Sequence, residues 1–177
     1  MKRTIFALSL LMLAFAAGAA ETAGAFLDRV AARLKSAPSV LAEYVLTTDG
    51  ASQRGRLTVE GNKFALDADG LASWYDGKTQ WTLSAQTGET TVTEPTAEEV
   101  AQINPFAIIA AFRRNYNASF EKSAPGVKKV RLTAKTRNAD ISSVTVTVSE
   151  KSLDPSEIVL TMASNQVILI QIGRAHV

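Results

Sequence analysis

The residue types on which most enzyme chemistry depends are scarce in this chain of 177 residues. It contains no Cys and a single histidine, His176, one residue from the C-terminus. The absence of Cys excludes a thiol nucleophile, a disulfide framework and a Cys-ligated zinc site. A Ser-His-Asp triad would depend on that one histidine, and general-base work would otherwise fall to carboxylates or lysines. The composition therefore predicts that the protein is not an enzyme.

One acidic cluster, Asp67-Ala68-Asp69-Gly70, resembles the start of a calcium loop. It lacks the further oxygen donors and the late Glu of an EF-hand loop. Asp followed by Gly is also typical of a tight turn between two strands, and we interpret the segment as such a turn. No metal site and no cofactor are predicted.

The aromatic stretch from Trp74 to Trp81 is the most informative part of the sequence. Both tryptophans of the chain lie here, on either side of the strong turn signal Asp76-Gly77. One interpretation is that these large rings pack into an ordinary core. The other is that they line a ligand cavity between a curled sheet and an apolar helix.

Three segments have the pattern of helices. Residues 22–36 place Phe26, Val30 and Leu34 on one face, and Pro38 lies just beyond. A second helix opens at residue 96 with the spacing of a capping box. The third runs from residue 106 to about 114 and is apolar nearly all round, which predicts that it is buried or covers an apolar surface.

The rest of the chain has the two-residue alternation of short strands, separated by turn residues at intervals of about 8–12. Six strands are predicted before the second helix and five after the third, over residues 40–48, 54–60, 63–68, 71–75, 78–84, 89–93, 118–121, 127–135, 141–149, 157–163 and 167–170. The predicted fold class is therefore α+β and mainly β, with one curled antiparallel sheet.

Residues 1–20 have the layout of a secretory signal peptide. Lys2 and Arg3 form a basic start, residues 5–17 are apolar apart from Ser9, and the segment ends in small residues. The apolar run is shorter than the ~20 residues that a membrane-spanning helix needs. We expect cleavage after Ala20 and an exported protein.

The C-terminal residues 171–177 are predicted to be a non-native tail. The stretch from Ile172 to Val177 back-translates as ATC GGA AGA GCA CAC GTC, which resembles a common sequencing adapter. Without Lys2, Arg3 and Arg174, 16 basic residues remain against 17 acidic ones, so the net charge is −1 instead of +2. This balance gives no support for nucleic-acid binding.

Several motifs, in order, resemble those of the LolA-like family of periplasmic outer-membrane lipoprotein carriers. They cover nearly all of residues 21–170, which we expect to form one such domain. The motifs are Gly55–Val59, Asn62–Phe64, Asp76–Thr79 with Trp81, Asn104–Ile109, Leu132–Lys135, and Ile141–Val148 followed by Asp154-Pro155.

This resemblance implies an incomplete β-barrel with helices covering its open mouth. It also implies a monomeric periplasmic chaperone that carries the acyl chains of lipoproteins in an apolar cavity. An inner-membrane release complex, an outer-membrane acceptor and transient membrane contacts are the implied partners, with no nucleic acid. The residues predicted to bind lipid are Tyr44, Leu46, Leu57, Val59, Phe64, Leu66, Trp74, Trp81, Leu83, Phe106, Ile109, Phe112, Leu132, Val144, Val146 and Leu160.

Two departures from the family pattern affect these expectations. The best-known members carry an Arg-Pro pair, tied to lid closure and release, where this chain has Glu60-Gly61. The family also continues beyond Ile170, so we expect a truncated domain with an exposed sheet edge. A lipid-sensing regulatory module of the envelope and an enzyme acting on envelope lipids are the alternative functions.

Overall fold

The structure is a computed structural model, and it describes residues 20–48, 50–104 and 106–176. The predicted signal peptide lies outside these ranges except for its last residue. Within them the chain forms three helices and one antiparallel sheet of eleven strands, as the predicted fold class requires. No helix among the described residues combines the length and the hydropathy needed to span a bilayer.

The strands fall into two groups that are separated in sequence by two helices. The first group is β1 (Val40–Thr48), β2 (Ala51–Glu60), β3 (Lys63–Ala68), β4 (Leu71–Tyr75), β5 (Gln80–Ser84) and β6 (Thr90–Thr93). The second is β7 (Tyr116–Glu121), β8 (Val127–Ala134), β9 (Ile141–Ser149), β10 (Pro155–Met162) and β11 (Val167–His176). Within each group, every strand pairs with its neighbour in sequence, because short turns connect them.

The two groups join through β1 and β11, which pair antiparallel in the middle of the sheet. The edge strands are β6 and β7, which do not pair with each other, so the curled sheet is not closed. This arrangement corrects the prediction of a last strand that ends near Ile170, while the truncation of the domain stays a prediction. In the structure β11 continues to His176 and lies between β1 and β10. That residues 171–177 are non-native stays a prediction.

The turns follow the predicted chemistry. Gly70, between β3 and β4, has a φ of +78°, a conformation that a residue without Cβ adopts at little cost. In the turn between β4 and β5, the Asp76 carboxylate accepts hydrogen bonds from the backbone N–H groups of Thr79 at 2.8 Å and Lys78 at 2.9 Å. These hydrogen bonds hold the pKa of Asp76 below its ordinary value.

The helices are α1 (Ala23–Ser36), α2 (Ala97–Ile103) and α3 (Phe106–Asn115). The predicted capping box opens α2: the Thr96 hydroxyl accepts from the Glu99 N–H, and the Glu99 carboxylate accepts from the Thr96 N–H at 2.7 Å. α1 packs against α3, and an ion pair between Asp28 and Arg113 joins them.

The core lies between the helices and the second group of strands. Its fully buried side chains alternate along β8, β9 and β10, where Val130, Leu132, Val144 and Leu160 have no exposed surface. The helices complete it with side chains such as Leu27. Each such side chain stabilises the fold by about 1.5–3 kcal/mol through removal from water. The strands β8, β9 and β10 therefore belong to a tightly packed part of the fold.

Candidate functional site

Two cavities lie over the concave face of the sheet, where the first group of strands meets the helices. The larger has a volume of about 730 Å³ and is bounded by all three helices together with residues of β1, β2, β4, β7 and β9. The smaller has a volume of about 180 Å³ and lies between β1–β4, β11, α2 and α3. Both are lined mainly by apolar side chains, which suits an apolar ligand.

The two cavities follow one another along the same strands. On β1 the inward-facing Val40 lines the large cavity, and Ala42 and Tyr44, the next two inward positions, line the small one. The antiparallel partner β2 repeats this order, because Val59 pairs with Val40 and Leu57 pairs with Ala42.

Phe106, the first residue of α3, lines both cavities and is itself 5% exposed. The backbone N–H of Ala107 donates to the carbonyl of Asn104 at 3.0 Å, which ties the start of α3 to the end of α2. Phe106 therefore lies next to this contact between the two helices.

The large cavity owes its volume to small side chains. Eight alanines line it, of which Ala31 and Ala32 lie on α1, Ala97 and Ala101 on α2, and the rest on α3 or after α1. An alanine occupies less space than Leu or Phe, so these positions leave room beside the helices, and four of the alanines are exposed. This signal was missed in the sequence, because we looked for large apolar side chains as cavity walls, and small ones are what create a cavity.

Polar groups at the large cavity are few. Lys35, Glu98 and Arg114 contribute charges, and the half-buried Tyr116 has a raised pKa because of burial and the nearby charge of Glu98. Asn104 is 5% exposed, and its side-chain oxygen has no hydrogen-bond partner among the described residues. The remaining surface is apolar or uncharged, so an uncharged body with a polar end fits the cavity best.

The wall of the small cavity contains Tyr44, whose ring lies against Gly55 on the neighbouring strand. Burial, together with the nearby negative charge of Asp67, raises the pKa of Tyr44 to about 12. The phenol therefore stays neutral at all physiological pH values. Gln53 and Asp69 add polar atoms at the end of the cavity towards the turns.

Of the residues predicted to bind lipid, five line a cavity. Tyr44, Leu57, Leu66 and Phe106 line the small one, and Val59 and Phe106 line the large one. Ile103, Ile170 and Ile172 also line the small cavity, and the predicted set did not contain them. Ile170 and Ile172 belong to β11, whose pairing with β1 is a long-range contact that local sequence does not reveal.

A second group of the predicted residues is buried in the core and lines neither cavity. Phe64 stacks on Tyr75, with ring centroids 5.4 Å apart. The others pack between the helices and the second group of strands: Ile109, Phe112, Leu132, Val144, Val146 and Leu160. Their side chains are inward-facing as predicted, but their surroundings are filled.

A third group lies on the opposite face of the sheet. Trp74 pairs with Trp81 across β4 and β5, and Leu83 follows Trp81 on the same face. Trp74 is 45% exposed. The concave face here carries Ser73, Gln80 and Thr82 instead, joined by side-chain hydrogen bonds of 3.0–3.2 Å. The side chain of Leu46 lies outside the described part of the structure.

Among the described residues, no group of three or more His, Asp or Glu side chains comes together in a way that would hold a metal ion. The arrangement is that of a binding site: space, apolar walls and a small number of polar groups.

These features define a class of protein, an open, curled β-sheet that holds apolar cavities beneath covering helices. The chain belongs to the outer membrane lipoprotein carrier protein LolA family, whose model matches residues 12–164. No curated protein sequence matches the chain.

Solved structures with a TM-score above 0.5 share the fold at low sequence identity. An uncharacterized conserved protein from Thermus thermophilus has a TM-score of 0.57 and 11% identity, over 85% of this chain and 84% of that one. A DUF1329 family protein from Desulfovibrio piger has a TM-score of 0.51 and 8% identity, over 88% and 93%. A LolA superfamily protein from Nitrosomonas europaea is 15% identical over 89% and 94%, with a TM-score of 0.43.

Proposed function

We propose that this protein is a periplasmic carrier that shields the acyl chains of lipoproteins from water on their way to the outer membrane. The observation that carries the proposal is the apolar cavity of about 730 Å³ beneath the helices, in a chain of the lipoprotein carrier family. Each methylene group that leaves water contributes about 0.8 kcal/mol, so binding of an acyl chain needs neither a nucleotide nor a metal ion.

The helices provide the covering layer of the site. α2 and the start of α3 lie over the large cavity, and the ion pair of Asp28 with Arg113 attaches α3 to α1. Movement of α2 away from the sheet would open the cavity, whereas movement of the whole of α3 would also draw Ile109 and Phe112 out of the core. In this proposal the helices act as the lid, and the second group of strands acts as the frame.

Release must differ from that of the best-known family members. Gly61, in the turn where those members carry Arg-Pro, lines the mouth of the large cavity. Glu60 precedes it on β2, paired with Lys63. A lid held by an arginine at this position is therefore not available to this chain. The proposed partners are acylated lipoproteins, an inner-membrane release complex and an outer-membrane acceptor, with the carrier acting as a monomer.

A direct test is binding of acylated peptide to variants that fill the large cavity. Ala107 on α3 lines the cavity, and Ala107→Phe should reduce the affinity for a lipidated peptide at least tenfold. Ala25 is exposed on α1 and lines neither cavity, so Ala25→Phe is the matched control and should bind as the wild type does.

Native mass spectrometry of protein purified from the periplasm complements this measurement. Copurified acylated peptide or lipid would support the proposal. Failure of the wild-type protein to copurify or bind any acylated molecule would overturn it.

A further inference from the structure

We infer that the side chain of Phe106 is a partition that sets the length of acyl chain that this protein accepts. The inference rests on the proposed function, because it concerns how the same site selects its ligand. Among the described residues, Phe106 is the one that lines both cavities. Phe106 therefore lies at the boundary between two apolar spaces that have no other described lining residue in common.

The geometry of the strands places the cavities end to end. The Val40–Val59 pair faces the large cavity, and the next inward-facing pair, Ala42–Leu57, faces the small one. Successive inward positions on a strand are about 6.6–6.8 Å apart. An acyl chain that follows β1 and β2 through the large cavity thus meets the ring of Phe106 and, beyond it, the small cavity.

The volumes of the two cavities show how much space Phe106 closes off from a ligand in the large cavity. The small cavity, at about 180 Å³, has about a quarter of the volume of the large one, at about 730 Å³. An apolar cavity of roughly 150 Å³ holds benzene, so the small cavity has room for about six carbon atoms. With the ring in place, the end of an acyl chain stops at Phe106; without it, a chain longer by about four to six carbons should fit.

The side chain of Phe106 is shielded from solvent. It is 5% exposed, and it lies at the first residue of α3, directly after the connection that the Ala107–Asn104 hydrogen bond closes. If the side chain were mobile, affinity would not stop rising at one defined length of the acyl chain. The length limit is expected for the ring position that the structure shows, because rotation of the side chain would move the ring into one of the two cavities that it borders.

The experiment measures chain-length preference by displacement of N-phenyl-1-naphthylamine with saturated fatty acids of about eight to about twenty carbons. For the wild type, affinity should rise by about fourfold for each added methylene group up to a limit and then stop rising. Phe106→Ala should move that limit upwards by about four to six carbons.

Phe112→Ala is the matched control, since Phe112 has the same side chain on the same helix, is 4% exposed and lines neither cavity. Its length limit should equal that of the wild type. In addition, Leu57→Trp in the Phe106→Ala background should fill the small cavity and cancel the gain. If Phe106→Ala does not fold, Phe106→Leu should give a smaller shift in the same direction.

The outcomes separate the two proposals. Wild-type binding of fatty acids with no change of the limit in the folded Phe106 variants would overturn the partition and leave the carrier function in place. An equal shift in Phe112→Ala would also overturn it, because the effect would then come from loosened packing. Absence of binding by the wild type would overturn the proposed function, and the partition with it.

Discussion

Tyr44 and Gly55 lie opposite each other on β1 and β2, and the ring of Tyr44 covers the glycine. A Cβ at Gly55 would lie 2.6 Å from both Cζ and the hydroxyl oxygen of Tyr44, and 2.8 Å from the carbonyl oxygen of Asp67. Glycine is therefore what allows an aromatic ring to lie flat along β2 and form the wall of the small cavity.

We predict that Gly55→Ala destabilises the protein. Because the added methyl group meets backbone as well as the ring, the cost should be that of overpacking, about 1–3 kcal/mol in the free energy of unfolding. Urea denaturation followed by circular dichroism measures it. Arg54→Ala, an exposed position on the same strand, is the control and should stay within about 0.5 kcal/mol of the wild type. Equal stability of the two variants would contradict the close contact.

Leu132→Ala should lower the stability of the protein without changing its affinity for acyl chains. Leu132 has no exposed surface and lines neither cavity, so its truncation should cost about 2–5 kcal/mol in the free energy of unfolding. The affinity of the folded variant for an acylated peptide should remain within about twofold of the wild type. Leu57→Ala, at a residue that lines the small cavity, is the comparison. A large loss of affinity in Leu132→Ala would contradict the assignment of Leu132 to the core outside the site.

The ion pair between α1 and α3 predicts a pH dependence of stability. Arg113 donates from Nε to the Oδ1 atom of Asp28 at 2.8 Å, and this hydrogen bond holds the pKa of Asp28 below its ordinary value of 3.8. The unfolded chain therefore binds the proton more readily than the folded one does. The stabilisation is complete above pH 3.8 and is lost as the pH falls through the lowered pKa of the folded state.

Asp28→Asn should accordingly lower the thermal midpoint slightly at neutral pH, and its difference from the wild type should shrink as the pH falls below that range. The effect is small because both side chains are largely exposed, and added salt should reduce it further. Differential scanning calorimetry at several pH values checks this. A difference that persisted unchanged in strong acid would show that the carboxylate charge is not responsible.

Tryptophan fluorescence should not report on the cavities. Trp74 and Trp81 lie on the convex face, and neither lines a cavity. Acrylamide should quench the half-exposed Trp74, and saturating fatty acid should leave both the emission maximum and the quenching unchanged. Trp74→Phe assigns the signal of each ring. If quenching of Trp74 by acrylamide decreased in proportion to bound fatty acid, this placement of β4 and β5 would be contradicted.

Local features predicted the elements well. The turn residues and the alternation of side chains correctly predicted eleven strands and three helices in order, including the capping box at Thr96. Strand ends shifted by a few residues, as at β2, which begins at Ala51 instead of residue 54. Such features are visible in sequence because turns, caps and alternation depend on neighbours close along the chain.

The face that each strand turns inwards was harder to predict. Alternation assigns Trp81 and Leu83 to one face and Thr82 to the other, but it does not say which face is concave, since a shift of one residue exchanges them. Hydrophobicity favours burial of the tryptophans. The structure places them outside, while the hydrogen-bonded cluster of Ser73, Gln80 and Thr82 faces inwards.

The sequence by itself determined the order of the elements, the curled antiparallel sheet and the resemblance to lipoprotein carriers. Only the tertiary structure decided that the two groups of strands pair through β1 and β11, and which inward-facing side chains border empty space. Leu57 and Leu132 have the same side chain and the same alternation, yet one lines a cavity and the other is enclosed by core. The difference comes from what packs against them: Leu57 shares a partly empty space with Ile103 and Phe106, whereas Leu132 is enclosed by core side chains, and these neighbours belong to distant segments brought together by folding.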